Sequence, residues 1–167
     1  GPMSIIARLL VIAALALPLA ACNKEAHKPK ETAKAPLAAP TNDDAASWRA
    51  YITDVVGRNM EGVTNQPFVY LLPAESSTDF QGLYDRLLDK ARSDISRGIL
   101  PGNLLAYAAA SPSSTKAADM VVATFEGVKP DKLKGVKLLF VGKAEDNERV
   151  KAAVAPAGVN YVFVETK

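Results

Sequence analysis

The sequence predicts a three-layer α/β domain built on a four-stranded, mostly parallel sheet. Three observations carry that prediction. Four short apolar runs, FVYLL (68–72), LLAYAAA (104–110), VKLLFVG (136–142) and VNYVFVE (159–165), read as strands. Each follows a segment with the 3.6-residue apolar periodicity of a helix. Strands separated by single helices need right-handed crossovers, which produce a parallel sheet. The order is α-β-α-β-α-β-α-β, with no internal repeat.

The first helix is predicted over 48–60. Trp48, Tyr51, Ile52, Val55, Val56 and Met60 fall on one face, which makes Trp48 and Tyr51 core residues. Ser47 suits the N-cap and Gly62 lies just past the end. FVYLL, between Pro67 and Pro73, reads as a strand buried on both faces. The strongest helix follows. Phe80, Leu83, Tyr84, Leu87, Leu88, Ala91 and Ile95 form its stripe, opposite Asp85, Arg86, Asp89, Lys90 and Asp94. Thr78 with Gln81 fits a capping box, and Gly98 stops the helix.

LLAYAAA is ambiguous by composition, because alanine favours helix. Its flanks decide. Pro101-Gly102-Asn103 and Ser111-Pro112 bound a segment too short for a helix. It reads as a central strand whose small side chains let helices approach closely. Ser111 then serves as N-cap with Pro112 at the first helical position. That helix runs to Phe125 with Ala117, Val121, Val122 and Phe125 inward, and Gly127 and Pro130 end it. Gly135 opens the third strand. The last helix spans 145–155, with Val150, Ala153 and Val154 inward. Pro156 and Gly158 break it before the fourth strand.

The N-terminal region has a different character. Gly1 and Pro2, ahead of Met3, look like a cleavage scar and carry no expectation about the fold. Arg8 lies in a short n-region, Leu9 to Leu17 form an apolar core, and small residues lead to Cys22. That is the layout of a secretory signal peptide. The run is shorter than the about 20 apolar residues of a membrane span. Leu19-Ala20-Ala21-Cys22 resembles the lipobox of bacterial lipoprotein precursors. The resemblance implies that residues 3–21 are removed and that Cys22 becomes a diacylglycerol-modified N-terminus. Several acyl chains would anchor it stably, each buried CH₂ contributing about 0.8 kcal/mol. In that class an Asp after the Cys retains the product at the inner membrane. Asn23 therefore points to the periplasmic side of the outer membrane.

Residues 22–44 continue as NKEAHKPKETAKAPLAAPTNDD after the cysteine, without aromatic residues or apolar periodicity. Such a segment reads as a disordered tether. The single globular domain is then 45–167. Of the chain's 20 Lys and Arg and 18 Asp and Glu, five and four precede residue 45, leaving 15 against 14. So even a balance is no nucleic-acid footprint. The domain has no cysteine, so a packed core rather than a disulfide must hold it.

The only histidine, His27, lies in the tether. A domain without His or Cys has no Ser-His-Asp or Cys-His catalysis, no thiol redox chemistry and no typical zinc site. Neither a GxGxxG after the first strand nor a GxxxxGK[ST] supports a nucleotide site. No cofactor or metal is expected. Glu145, Asp146 and Glu148 read as helix-dipole partners rather than a metal cluster. Lys129, Lys132, Lys134 and Lys137 read as a solvated turn, with a docking patch as the alternative. In open parallel sheets, ligands sit beyond the carboxyl ends of strands near a switch in strand order. The loops there carry Ser76, Ser77 and Thr78, then Ser111, Ser113 and Ser114. Each leads into a helix N-terminus, and Lys116 or Lys143 adds charge, so an anion has a candidate seat. The plainer reading is that these hydroxyls only cap helices.

These features favour a non-enzymatic, lipid-anchored periplasmic module that binds another protein. An immunity-type inhibitor of a periplasmic toxin and an accessory subunit of an envelope machine both fit. The alternative is a small-ligand or anion-binding receptor using the serine-rich loops. A third reading, a hydrolase or transferase, would rely on Glu75, Asp79 and Lys116 converging.

Overall fold

A computed structural model describes residues 35–167. The lipobox, with Cys22 and Asn23, and the tether as far as residue 34 lie outside the described residues. Helices and strands alternate as α1 (Ala45–Gly57), β1 (Phe68–Leu72), α2 (Phe80–Arg97), β2 (Leu104–Ala109), α3 (Thr115–Phe125), β3 (Lys137–Gly142), α4 (Ala144–Val154) and β4 (Asn160–Glu165). A 3₁₀ turn, Ala155–Ala157, separates the last helix from β4. The fold is α/β. The sheet has the order β1-β2-β3-β4, and every neighbouring pair is parallel.

The sheet divides the core in two. Tyr70, Leu72, Leu105, Tyr107, Leu138 and Phe140 face a cluster fed by α2, α3 and α4. Leu104, Ala106, Ala108, Leu139 and Val141 face the opposite way, against Trp48, Tyr51, Ile52, Val55 and Val56 of α1. Right-handed crossovers that always advance the sheet in one direction put their helices on one face. Three helices therefore share a side, and α1 alone covers the other. β2 is central and completely buried, and alanines at 106, 108, 109 and 110 keep its surface low.

Three helix starts differ from the sequence expectation, each for a local reason. α1 begins before Ser47 because Asp44 is the cap. Its carboxylate accepts from the Ser47 backbone N–H at 3.0 Å and from the Ser47 hydroxyl at 2.5 Å. The helix ends at Gly57, so Met60 lies beyond it. The Thr78–Gln81 capping box does not form. Asp79 occupies the cap position in the left-handed region (φ 59°), and Gln81 donates to Asp85 at 2.9 Å instead. α3 starts at Thr115 with Ser114, not Ser111, at its cap position. Gly98 does close α2, at a φ of 96° that glycine adopts without strain.

Two further expectations change. FVYLL is not buried on both faces. As β1 it is an edge strand, and Val69 is 42 % exposed because α1 does not reach across to it. The ordered chain also begins ahead of residue 45. Leu37 N–H donates to Asp54 at 3.1 Å, the Trp48 indole donates to the Asn42 carbonyl at 2.6 Å, and Ala39 packs on the α1 core. Residues 36–44 thus belong to the folded body rather than to a disordered tether.

Candidate functional site

The carboxyl ends of the strands carry the serine-rich loops. The most extensively hydrogen-bonded part of this end is a polar network at the N-termini of α3 and α4. Ser114, 4 % exposed, donates to the Asp146 carboxylate at 2.6 Å and accepts from the Lys143 backbone N–H at 2.8 Å. Gly142 makes this possible. A Cβ there would lie 2.6 Å from Ser114 Cβ and 2.7 Å from its Oγ. Asp146 is held in turn by Arg149, whose guanidinium also reaches Asp119 at 2.8 Å and the Thr115 carbonyl at 3.0 Å. Burial works against the Arg149 charge, but hydrogen bonds to Asp119 and Asp146 outweigh it and raise its pKa. A buried hydroxyl that already donates to a paired carboxylate and accepts an amide is a structural clamp between two loops. It presents no nucleophile to solvent.

The other expected site residues are spread along this end. Ser113 accepts weakly from Thr115 N–H at 3.5 Å, and Ser111 accepts from Ser113 N–H at 3.3 Å. Lys143 Nζ donates to the Thr166 carbonyl at 3.0 Å, across the C-terminal end of the sheet. Ser76 makes a long contact to Asp43 at 3.4 Å, and the β1–α2 turn also holds Ser77, half-buried, and Thr78, exposed. Lys116 is half-buried on the first turn of α3. The strand order never reverses, so the topology supplies no switch-point crevice here. Asp79 pairs with Arg86 at 3.5 Å, and no hydrogen bond or ion pair among the described residues joins Glu75, Asp79 and Lys116. Among the described residues no group of three or more His, Cys, Asp or Glu is placed to hold a metal ion.

A second buried network, not foreseen from the sequence, joins β1 to α2. Asp94 is 2 % exposed although its helix position looks solvent-facing. It accepts from the Tyr70 hydroxyl at 2.7 Å and from Lys90 at 3.0 Å, and it pairs with Arg97. Burial alone would raise the Asp94 pKa. The hydrogen bonds from Tyr70 and Lys90 and the charges of Lys90 and Arg97 overcome this and lower it. Burial, with the Asp94 bond second, pushes the Tyr70 phenol up. Beside it, the Tyr107 hydroxyl is buried next to Thr124 without a well-formed hydrogen bond among the described residues, and burial raises its pKa, which the Thr124 hydroxyl only partly offsets.

Several surface concavities lie at the margins of the sheet. One, of about 320 Å³, lies between residues 36–39, α1 and the end of β4. Another pair follows β1: a depression of about 280 Å³ with Leu71, Pro73, Leu83 and Leu87, and one of about 210 Å³ that extends to Arg49. Among the described residues no helix is long and apolar enough to cross a membrane. Comparison with protein-family models, curated proteins and solved structures gives no match to this chain.

Proposed function

We propose that this chain is a lipid-anchored module of the bacterial periplasm that acts by binding another protein. Its anchor is Cys22, and its class is that of immunity-type inhibitors or accessory subunits of envelope machines. The observation that carries the reading is the open side of β1. There Val69 is exposed and an apolar groove runs alongside the outer edge of the strand, which pairs with β2 on its other side. The polar side chains at the carboxyl end of the sheet are tied to one another instead of converging on a pocket. That arrangement supports a binding role over a catalytic one.

The test is a crosslinking pull-down with the lipidated protein, tagged at its C-terminus, in its own envelope. A single stoichiometric protein partner is the expected result, and its identity separates inhibition of a toxin from assembly. A folded, correctly anchored protein that captures no specific partner would overturn the reading. Attention would then move to anion binding at Ser76–Thr78 and Ser111–Ser114, read as a phosphate-dependent rise in Tm.

A further inference from the structure

Among the described residues, the outer edge of β1 has backbone hydrogen-bonding capacity that is not used. The Leu72 carbonyl accepts from Ala110 N–H at 2.8 Å, so Leu72 faces β2. Backbone groups alternate sides along a strand, so Phe68 and Tyr70 also face β2, while Val69 and Leu71 turn their N–H and C=O groups outward. Among the described residues, the strand order places nothing beyond them. A strand edge of this kind, with an exposed valine, is a template for another strand.

Charge narrows what that strand can be. The groove floor is apolar, formed by Leu71, Pro73, Leu83 and Leu87, and its rim carries Arg86 and Lys90. Across Leu71 and Pro73 it continues to the exposed Arg49 on α1. Lys90 pairs with Asp94 at 3.0 Å, but that single buried carboxylate is shared with Arg97, so the two cations, whose side chains are 61 % and 70 % exposed, leave a net positive charge at the rim. Asp79 is the acidic group that meets the rim, through Arg86 at 3.5 Å, and both side chains there are about two-thirds exposed and readily exchanged.

We infer that this edge takes an acidic, extended segment of a partner protein as a fifth strand. Its backbone bonds to Val69 and Leu71, and its carboxylates lie beside Arg49, Arg86 and Lys90. This rests on the protein-binding reading above and names the surface and the chemistry of the occupant. The same cations argue against a second copy of this chain. Antiparallel pairing of two β1 edges puts both α2 helices on one face of the joined sheet, and Arg86 and Lys90 meet their own copies.

The probe is a capped heptapeptide alternating valine and glutamate, added to the ¹⁵N-labelled lipidated full chain in detergent micelles. Slowed amide exchange at Val69 and Leu71 is expected, and a valine–lysine peptide should leave both amides unchanged. The double substitution Arg49→Glu with Arg86→Glu should weaken the acidic peptide about fivefold and let the basic one bind, as two exposed ion pairs allow. Val69→Pro removes an outward donor without removing a β1–β2 bond and should abolish the protection. Equal binding of both peptides, protection elsewhere, or no protection at millimolar peptide each overturns the inference. A photo-crosslinker at Val69 and another at Leu100, which is 72 % exposed, separate the two readings in the envelope. Capture from Leu100 alone leaves a binding module standing and removes the β1 edge as its site.

Discussion

The Ser114 hydroxyl donates to the Asp146 carboxylate at 2.6 Å, and this one contact ties the β2–α3 loop to the start of α4. Both residues are buried, and Ser114 also receives the Lys143 N–H. Ser114→Ala would leave two buried polar groups short of a partner, a loss of about 2 kcal/mol. Urea unfolding should show a lower midpoint at an unchanged m-value. A wild-type midpoint in the variant would mean that the clamp contributes nothing.

The neighbouring glycine makes a coupled prediction. At Gly142 a Cβ would collide with Ser114 and also lie 2.8 Å from the Phe140 ring. Gly142→Ala should destabilise by about 1–3 kcal/mol, as overpacking does. In a Ser114→Gly background the same change should cost less, though not nothing, because Phe140 remains. A double-mutant cycle measures the difference. Strict additivity would show that Ser114 is not what excludes a side chain at 142.

Two neighbouring tyrosines should respond differently to loss of their hydroxyls. Tyr70 and Tyr107 have ring centroids 4.9 Å apart. Tyr70 donates to buried Asp94, whereas the Tyr107 hydroxyl, beside Thr124, makes no hydrogen bond of good geometry among the described residues. Tyr70→Phe should cost about 1–2 kcal/mol, whereas Tyr107→Phe should be neutral or slightly stabilising. Thermal unfolding of the two variants side by side decides it. An equal loss in both would show that the phenols do not differ in this way.

Asp94 should also shape the acid limb of the stability curve. Its native pKa is below the ordinary carboxylate value, so the unfolded chain takes up the proton first as pH falls. The stability it provides is complete above about pH 4, the unfolded value, and is lost as pH drops through the lower native pKa. Asp94→Asn should flatten the dependence of stability on pH below about 4 while lowering stability at pH 7. An unchanged acid slope in the variant would assign that limb to other carboxylates.

What was legible in the sequence follows from which forces act locally. Apolar periodicity exposed every helix and strand of the domain, because a helix stripe or a two-faced strand is written in consecutive residues. The flanking Pro, Gly and Ser settled LLAYAAA as a central strand against its alanine content, and β2 is buried throughout. Cap positions were harder. Asp44 rather than Ser47 caps α1, and Ser114 is drawn away from capping by Asp146, a partner 32 residues distant. Strand order had no local signal, and with it went the knowledge that β1 is an edge. Asp94 looked like one of the charges on the solvent face of α2. Only the Tyr70 hydroxyl arriving from β1 turns it inward.

The contrast between β2 and β1 gives the last prediction. Ala106 and Ala108 are 1 % and 2 % exposed and face α1, so there is no room for a larger side chain without moving the helix. Ala108→Leu should therefore cost about 1–3 kcal/mol through overpacking. Val69 faces the same way from the edge strand, yet α1 leaves it 42 % exposed. Val69→Thr keeps the β-branch and should change stability by no more than about 0.5 kcal/mol. Urea midpoints of the two variants test whether α1 presses on the centre of the sheet and stops short of its edge. A large loss from Val69→Thr would mean that this edge is covered in solution, by a second copy or by the chain itself, and sedimentation of the purified protein would distinguish those two.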